Sequence, residues 1–98
     1  MDISAPGPAI TVSFPPALLP RVGGRAKVVV SGCTVREVVD TLDQRFPGLR
    51  FNLCYETGQL RPYVNIFLEG ENIRYLQNLD TPVSPGATIA IFPSVAGG

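Results

Sequence analysis

The stretch TVREVVDTLDQRFPG, residues 34–48, decides the fold because it contains the one strong helix signal of the chain. It begins with a capping-box pattern, in which the Thr34 hydroxyl accepts from the backbone N–H of Glu37 and the Glu37 carboxylate reaches back to Thr34. Its apolar residues recur at helical spacing on one face: Val35, Val38, Val39, Leu42 and Phe46. Pro47-Gly48 ends the helix. The pattern predicts a single amphipathic helix that packs on a sheet.

Four segments with strand character surround this helix. Alternating apolar and polar residues bounded by Gly and Pro mark them: residues 10–14, 25–30, 63–68 and 88–93. Residues 49–55 fit neither pattern, and residues 73–79 hold a short strand or one helical turn. The order of elements predicts an α+β fold, a β-grasp (ubiquitin-like) roll with one main helix on a mixed four- to five-stranded sheet. In that roll the first and last strands lie side by side in the middle.

One folded unit is expected, because 98 residues fit one ordinary domain. Residues 1–8 are predicted to form a flexible arm, residues 9–93 the β-grasp domain and residues 94–98 a flexible tail. The N-terminus lacks the basic and apolar regions of a signal peptide, and no apolar stretch approaches the roughly 20 residues of a membrane-spanning helix. We therefore expect a cytoplasmic protein.

The composition argues against several classes of function. A formal net charge of +0 argues against a nucleic acid or a membrane as the partner. Histidine is missing from the sequence, which removes the commonest general base and zinc ligand, so we predict no catalytic residue and no metal site. Cys33 and Cys54 form no C-x-x-C pair, and we expect two buried free thiols. A reactive Cys33 beside the helix start stays an alternative.

The sequence ends in Ser94-Val95-Ala96-Gly97-Gly98, directly after the predicted last strand. A terminal carboxylate is ionised at neutral pH and is a poor acyl donor, so it needs activation before any transfer. Adenylation by ATP installs a leaving group, and sulfide attack then gives a thiocarboxylate on Gly98. Glycines lack Cβ, so a partner enzyme can thread this tail through a narrow channel. On Gly-Gly alone, a frayed end of small residues stays an alternative.

The chain resembles the MoaD/ThiS family of ubiquitin-like sulfur carriers in three places. Residues 89–98, IAIFPSVAGG, resemble the hydrophobic strand, proline and Gly-Gly end of that family. Residues 63–74 resemble its middle strand and turn, and the helix of residues 34–46 also matches. The Val-Ala-Gly-Gly ending and the Val-Asn-Ile-Phe segment are most similar to the CysO branch. Residues 15–24 and 49–62 are long for the thiamine-type carriers.

The resemblance implies a sulfur carrier protein and not an enzyme. Gly98 would be the attachment point for adenylate and thiocarboxylate, with Val95, Ala96 and Gly97 threading the tail into the partner. No cofactor would be bound, and ATP and a sulfur donor would be used by the activating partner. The implied partners are an E1-like adenylating and sulfurylating enzyme, a sulfur-accepting enzyme such as a PLP-dependent cysteine synthase, and a metallopeptidase.

Three other functions stay open at this point. The small subunit of molybdopterin synthase and a ubiquitin-like protein modifier would both use the same tail. A plain β-grasp interaction domain would not need Gly97-Gly98 at all.

The sheet face opposite the helix is the predicted docking surface for these partners. Strand alternation places Phe67 and Phe92 on that face, and Tyr63 beside them. A single-layer roll leaves the face open, so we expect an exposed aromatic patch that docks the activating and acceptor enzymes. The alternative is that residues 18–19 or 49–55 cover it.

Overall fold

The computed structural model describes residues 9–93. Within them the strands and α-helices follow in this order: β1 (Ala9–Ser13), β2 (Lys27–Ser31), α1 (Val35–Arg45), α2 (Leu49–Leu53), β3 (Val64–Leu68), β4 (Glu71–Asn72) and β5 (Thr88–Pro93). Short 3-10 helices lie between them: Pro16–Val22, Ile73–Tyr75 and Asn78–Asp80. The predicted arm, residues 1–8, and the predicted tail, residues 94–98, lie outside the described residues. The division of the chain into arm, domain and tail therefore stays a prediction.

The strands form one mixed sheet in the order β2-β1-β5-β3-β4. β1 pairs antiparallel with β2 and parallel with β5, and β5 pairs antiparallel with β3. Parallel neighbours need a crossover connection, and the chain between β1 and β5 supplies one that contains α1. The first and last strands therefore lie side by side in the centre, which confirms the predicted α+β roll.

α1 begins at the predicted N-cap, but its capping box differs from the prediction. Thr34 Oγ1 accepts a hydrogen bond from the Glu37 N–H at 3.2 Å, as predicted. The predicted return bond to Thr34 is wrong, because Glu37 Oε1 accepts from the Cys33 N–H at 2.8 Å. Thr34 has an extended backbone and forms an isolated antiparallel bridge with Pro82. This pairing with a distant segment fixes the chain before α1 and turns the Cys33 N–H toward the carboxylate.

The core lies between α1 and the sheet. The predicted stripe of α1 is buried through Val35, Val38, Val39 and Leu42, and Phe46 packs against it partly buried. Alternate strand residues supply the other side of the core: Ile10, Val12, Val28, Val30, Val64, Ile66, Ile89 and Ile91. The residues between them point to the opposite sheet face, and the exposure of Val29 and Phe92 shows that this face is open to solvent.

The connections contain more structure than the sequence pattern predicts. Residues 49–55, which fit neither pattern, contain the five-residue α2, with Leu49 and Leu53 buried. Residues 73–79 take the helical alternative, in two separate 3-10 turns. These elements depend on burial of single apolar residues and not on a repeated pattern, so periodicity gives little signal for them. None of the helices in the described part of the chain is long and apolar enough to cross a membrane.

Candidate functional site

Two phenylalanine rings meet on the sheet face that α1 leaves uncovered. In the register of β3 and β5, Asn65 pairs with Phe92 and Phe67 with Ala90, so the two rings lie diagonally across neighbouring strands. Their centroids are 5.8 Å apart and their planes are inclined by 72°, an edge-to-face contact. Phe92 is 48% exposed and Phe67 is half-buried. The predicted position of the two rings on the open face is confirmed.

Tyr63 extends this surface at the start of β3 and is 47% exposed. The alternative that residues 18–19 or 49–55 cover the face is wrong, because Tyr63 and Phe92 are each about half exposed. We call the surface formed by Tyr63, Phe67 and Phe92 the aromatic patch. Its role in docking partner enzymes stays a prediction.

The loop before β3 is held by a side chain that sequence analysis misses. Arg74 Nη2 donates hydrogen bonds at 2.8, 3.2 and 2.7 Å to three backbone carbonyls of that loop: those of Arg61, Pro62 and Val64. Arg74 lies ten or more residues along the chain, in a 3-10 helix, so only the folded chain brings it to the loop. Arg74 thereby fixes the backbone on both sides of Tyr63.

β5 ends beside the aromatic patch. Its last residue, Pro93, pairs with Val64 of β3, and Tyr63 directly precedes Val64. The predicted attachment residue Gly98 and the predicted threading residues Val95, Ala96 and Gly97 lie outside the described residues, and their roles stay predictions. Within the described residues, the chain reaches the end of the sheet at Pro93.

The two cysteines differ in exposure. Both thiols are free, but Cys33 is exposed and Cys54 is buried, so the prediction of two buried thiols is wrong for Cys33. The Cys33 backbone is held by the Glu37 carboxylate and by the Val83 N–H, which donates to the Cys33 carbonyl at 3.0 Å. This short turn into α1 anchors the backbone and leaves the side chain in solvent. Burial raises the pKa of the Cys54 thiol above its ordinary value, and nearby arginines oppose the rise.

Thiol labelling at pH 8 should separate the two cysteines. In the folded protein we expect Cys33 to react with a colorimetric disulfide reagent within minutes, and Cys54 to react only after denaturant is added. A folded-state thiol pKa that is raised means that the unfolded chain loses this proton first. The stability that Cys54 contributes is therefore lost as the pH rises from the ordinary thiol pKa, 9.0, toward the raised pKa of the folded state. Fast labelling of a Cys33→Ser variant would contradict this assignment.

A polar cleft beside the first turn of α1 contains Arg36, whose guanidinium is already hydrogen-bonded to other groups of the protein. Arg36 Nε donates to Asp80 Oδ1 at 3.1 Å, and Arg36 Nη1 donates to the Gly58 carbonyl at 3.4 Å. The guanidinium is thus held by groups of the protein itself and is not free to bind a phosphate. Across residues 9–93, no group of three or more His, Cys, Asp or Glu side chains is placed to hold a metal ion. The candidate site is therefore the aromatic patch and the end of β5.

Comparison with known proteins decides the family. The model of the ThiS family matches residues 16–98. The chain belongs to the ThiS family. This ThiS-family chain is 35% identical over 91 residues to the sulfur carrier protein CysO of Mycobacterium tuberculosis, and the match covers 91% of this chain and 98% of that protein.

Solved structures agree with the β-grasp, ubiquitin-like fold. A chain in the crystal structure of the Amycolatopsis orientalis BexX/CysO complex matches with a TM-score of 0.86 and 36% identity, covering 92% of this chain and 100% of that chain. The solution structure of small archaeal modifier protein 1 from Methanosarcina acetivorans matches with a TM-score of 0.81 and 27% identity, covering 93% of this chain and 97% of that chain. The family resemblance predicted from the sequence, including its CysO-like character, is confirmed.

Proposed function

We propose that this chain is a sulfur carrier of the CysO type, which serves as a substrate for other enzymes and is not itself an enzyme. The observation that carries the proposal is the similarity to CysO over nearly the whole of both chains. It is supported by the order of the chain: Val95-Ala96-Gly97-Gly98 follow β5 in the sequence, and β5 ends with Pro93 paired to Val64, next to Tyr63. A carrier needs a reactive terminus and a surface for its partners, and the pairing of Pro93 with Val64, next to Tyr63, supports the proposal that the two act together.

The proposed chemistry takes place at the carboxylate of Gly98 and needs two steps. In the first, a carboxylate oxygen attacks the α-phosphorus of ATP within an E1-like enzyme, forming an acyl-adenylate and releasing pyrophosphate. In the second, a hydrosulfide equivalent from a sulfur donor attacks the acyl carbon. AMP then leaves with the electron pair of the broken carbon–oxygen bond, and Gly98 carries a thiocarboxylate. ATP and the sulfur donor are used by the partner enzyme.

The thiocarboxylate then donates its sulfur to a biosynthetic acceptor, in the synthesis of cysteine or of another sulfur-containing metabolite. In the cysteine route, a PLP-dependent synthase would accept the sulfur and a metallopeptidase would release the product. Intact-mass spectrometry tests the carrier step directly. After incubation with the E1-like enzyme, ATP and a sulfur source, the full chain should gain the mass of one oxygen-to-sulfur exchange. A chain that never gains this mass would rule out the carrier function.

Phe92→Ala is expected to weaken binding to the activating enzyme about 30-fold, because aromatic anchors at interface centres contribute about 2 kcal/mol or more. Phe92 is about half exposed, so the fold should survive the change. The matched control is Val29→Ala, which removes an exposed apolar side chain from β2 at the far side of the same sheet. Binding measured by titration calorimetry should change little for the control. Equal effects of the two variants would argue against the aromatic patch as the docking surface.

A second candidate function, a protein modifier, is favoured by the similarity to small archaeal modifier protein 1. In this role the activated Gly98 would form an isopeptide bond with a lysine of another protein. Western blots of cell extract would then show conjugates of higher mass that disappear when Gly98 is deleted. Detection of the thiocarboxylate without such conjugates would favour the carrier role.

A further inference from the structure

The charged residues are unevenly distributed along the sheet, although the net charge is zero. β1 and β5 are parallel, so both end at the same edge of the molecule, which we call the tail end. Residues 14–27 leave β1 and enter β2 there, because β2 is antiparallel to β1. Residues 61–64 enter β3 there, because β3 is antiparallel to β5. Arg74 joins them through its bonds to the carbonyls of this loop.

These parts of the chain contain five of its eight basic residues and none of its eight acidic residues. We call the five residues the basic collar: Arg21, Arg25, Lys27, Arg61 and Arg74. The opposite end of the sheet holds the turn between β3 and β4, with Glu69 and Glu71, and the start of α1, with Glu37. β5 thus ends at the basic end of the sheet.

No carboxylate within residues 9–93 forms an ion pair with the collar, and Glu56 lines the same surface cavity as Arg61 without pairing with it. The one ion pair within residues 9–93 joins Arg36 to Asp80, outside the collar. Arg61 lies over the Tyr55 ring at 4.7 Å and donates to the Phe51 carbonyl at 2.8 Å, and both of these groups are uncharged. The partners of Arg74 are backbone carbonyls, and Arg21, Arg25 and the first residue of β2, Lys27, are exposed. Their full charges are therefore available to a partner.

The collar is continuous with the aromatic patch. The strand registers place Lys27 opposite Ser13, Ser13 opposite Ala90, and Ala90 opposite Phe67, so all four side chains share the open face in one row. Neighbouring strands lie about 4.8 Å apart, so Lys27 and Phe67 are separated by about 14 Å. A partner surface of ordinary size, about 800 Å² on each side, spans that distance.

We propose that the basic collar docks on an acidic protein surface that surrounds the channel through which the activating enzyme admits the tail. The proposal rests on the proposed carrier function and adds the charge of the partner surface. A protein is the favoured partner because the collar borders exposed aromatic rings, and protein interfaces combine an aromatic centre with a charged rim. Rim charges of this kind accelerate association and make it depend on salt.

The test compares association rates with the purified activating enzyme, measured by stopped-flow at several salt concentrations. The triple variant Arg21→Gln, Arg25→Gln, Lys27→Gln should associate about tenfold more slowly at low salt and lose most of the salt dependence. Arg50→Gln is the control, because Arg50 is exposed on α2 and lies outside the collar. Circular dichroism should show the same melting temperature for all variants. If the mass gain on Gly98 occurs but the triple variant associates at the wild-type rate, the collar proposal is wrong while the carrier function stands.

A second arm needs no activating enzyme. The ¹⁵N-labelled full chain is titrated at low salt with poly-L-glutamate and, separately, with polyuridylate. Shifts of the amides of Arg21, Arg25 and Lys27 with polyglutamate support the collar, even if the mass gain on Gly98 never occurs. No such shifts, or binding of polyuridylate at tenfold lower concentration than polyglutamate, would overturn the choice of an acidic protein as the partner.

Discussion

Deletion of Gly98 is expected to abolish thiocarboxylate formation and to leave the domain folded. Each extended residue spans up to about 3.5 Å, so the deletion withdraws the terminal carboxylate by that length from the adenylating centre. A misplacement of about 1 Å already costs roughly 10²-fold in rate, so we expect a loss of at least that size. The buried core lies between Ile10 and Ile91, so the thermal midpoint should not change. Intact-mass spectrometry and circular dichroism measure the two results.

Gly98→Ala is the matched control for this deletion. It keeps the carboxylate at the same position in the chain and adds only a methyl group. The comparison therefore separates the effect of tail length from the effect of side-chain size at the last residue. We expect the control to be activated more slowly than the unchanged chain but faster than the deletion. Full activation of the deletion variant would show that the reacting carboxylate is not that of Gly98.

Ile66→Ala is expected to lower the free energy of unfolding by about 3 to 4 kcal/mol, the range for removing a large aliphatic side chain from a close-packed core. Ile66 is fully buried and pairs directly with Ile91 of β5, so the cavity would open in the core beneath the sheet. For a domain of this size, such a loss lowers the melting temperature by about 15 °C or more. Urea titration followed by circular dichroism measures the change.

Val29→Ala provides the comparison, because Val29 is also a β-branched strand residue but is 58% exposed. It should cost less than about 1 kcal/mol, the span of strand propensities. Similar losses for the two variants would contradict the assignment of the covered and open faces. That assignment is also what places the aromatic patch in solvent, so the experiment tests the basis of the docking prediction.

Much of the fold could be predicted because its signals are local. The stripe from Val35 to Leu42 repeats at helical spacing, and the alternation in β3 separates Ile66 from Phe67. Each follows from the geometry of one element. In a helix every third or fourth residue shares a face, and in a strand every second residue does. The same alternation predicted that Phe67 and Phe92 lie together on the open face, and the structure places their rings in contact.

The contacts that hold the candidate site and the start of α1 in place could not be predicted in the same way. Arg74 reaches the carbonyls beside Tyr63 from a separate 3-10 helix, and a local pattern gives no sign of a contact between separate segments. Glu37 bonds the N–H of Cys33 because Thr34 is paired with Pro82, far along the chain. The exposure of Cys33 has the same origin, since the anchored turn decides which way its side chain points.

The sequence by itself determined the helix, the strands, the two faces of the sheet and the Val-Ala-Gly-Gly ending, because each is written in adjacent or regularly spaced residues. The tertiary structure alone decided that β5 ends beside Tyr63, that Arg74 holds the loop before β3, and that basic residues from separate segments lie at the same edge of the sheet as the end of β5. The physical reason is strand direction. A parallel central pair brings the ends of β1 and β5 to one edge, and the antiparallel neighbours return their connecting loops to that same edge.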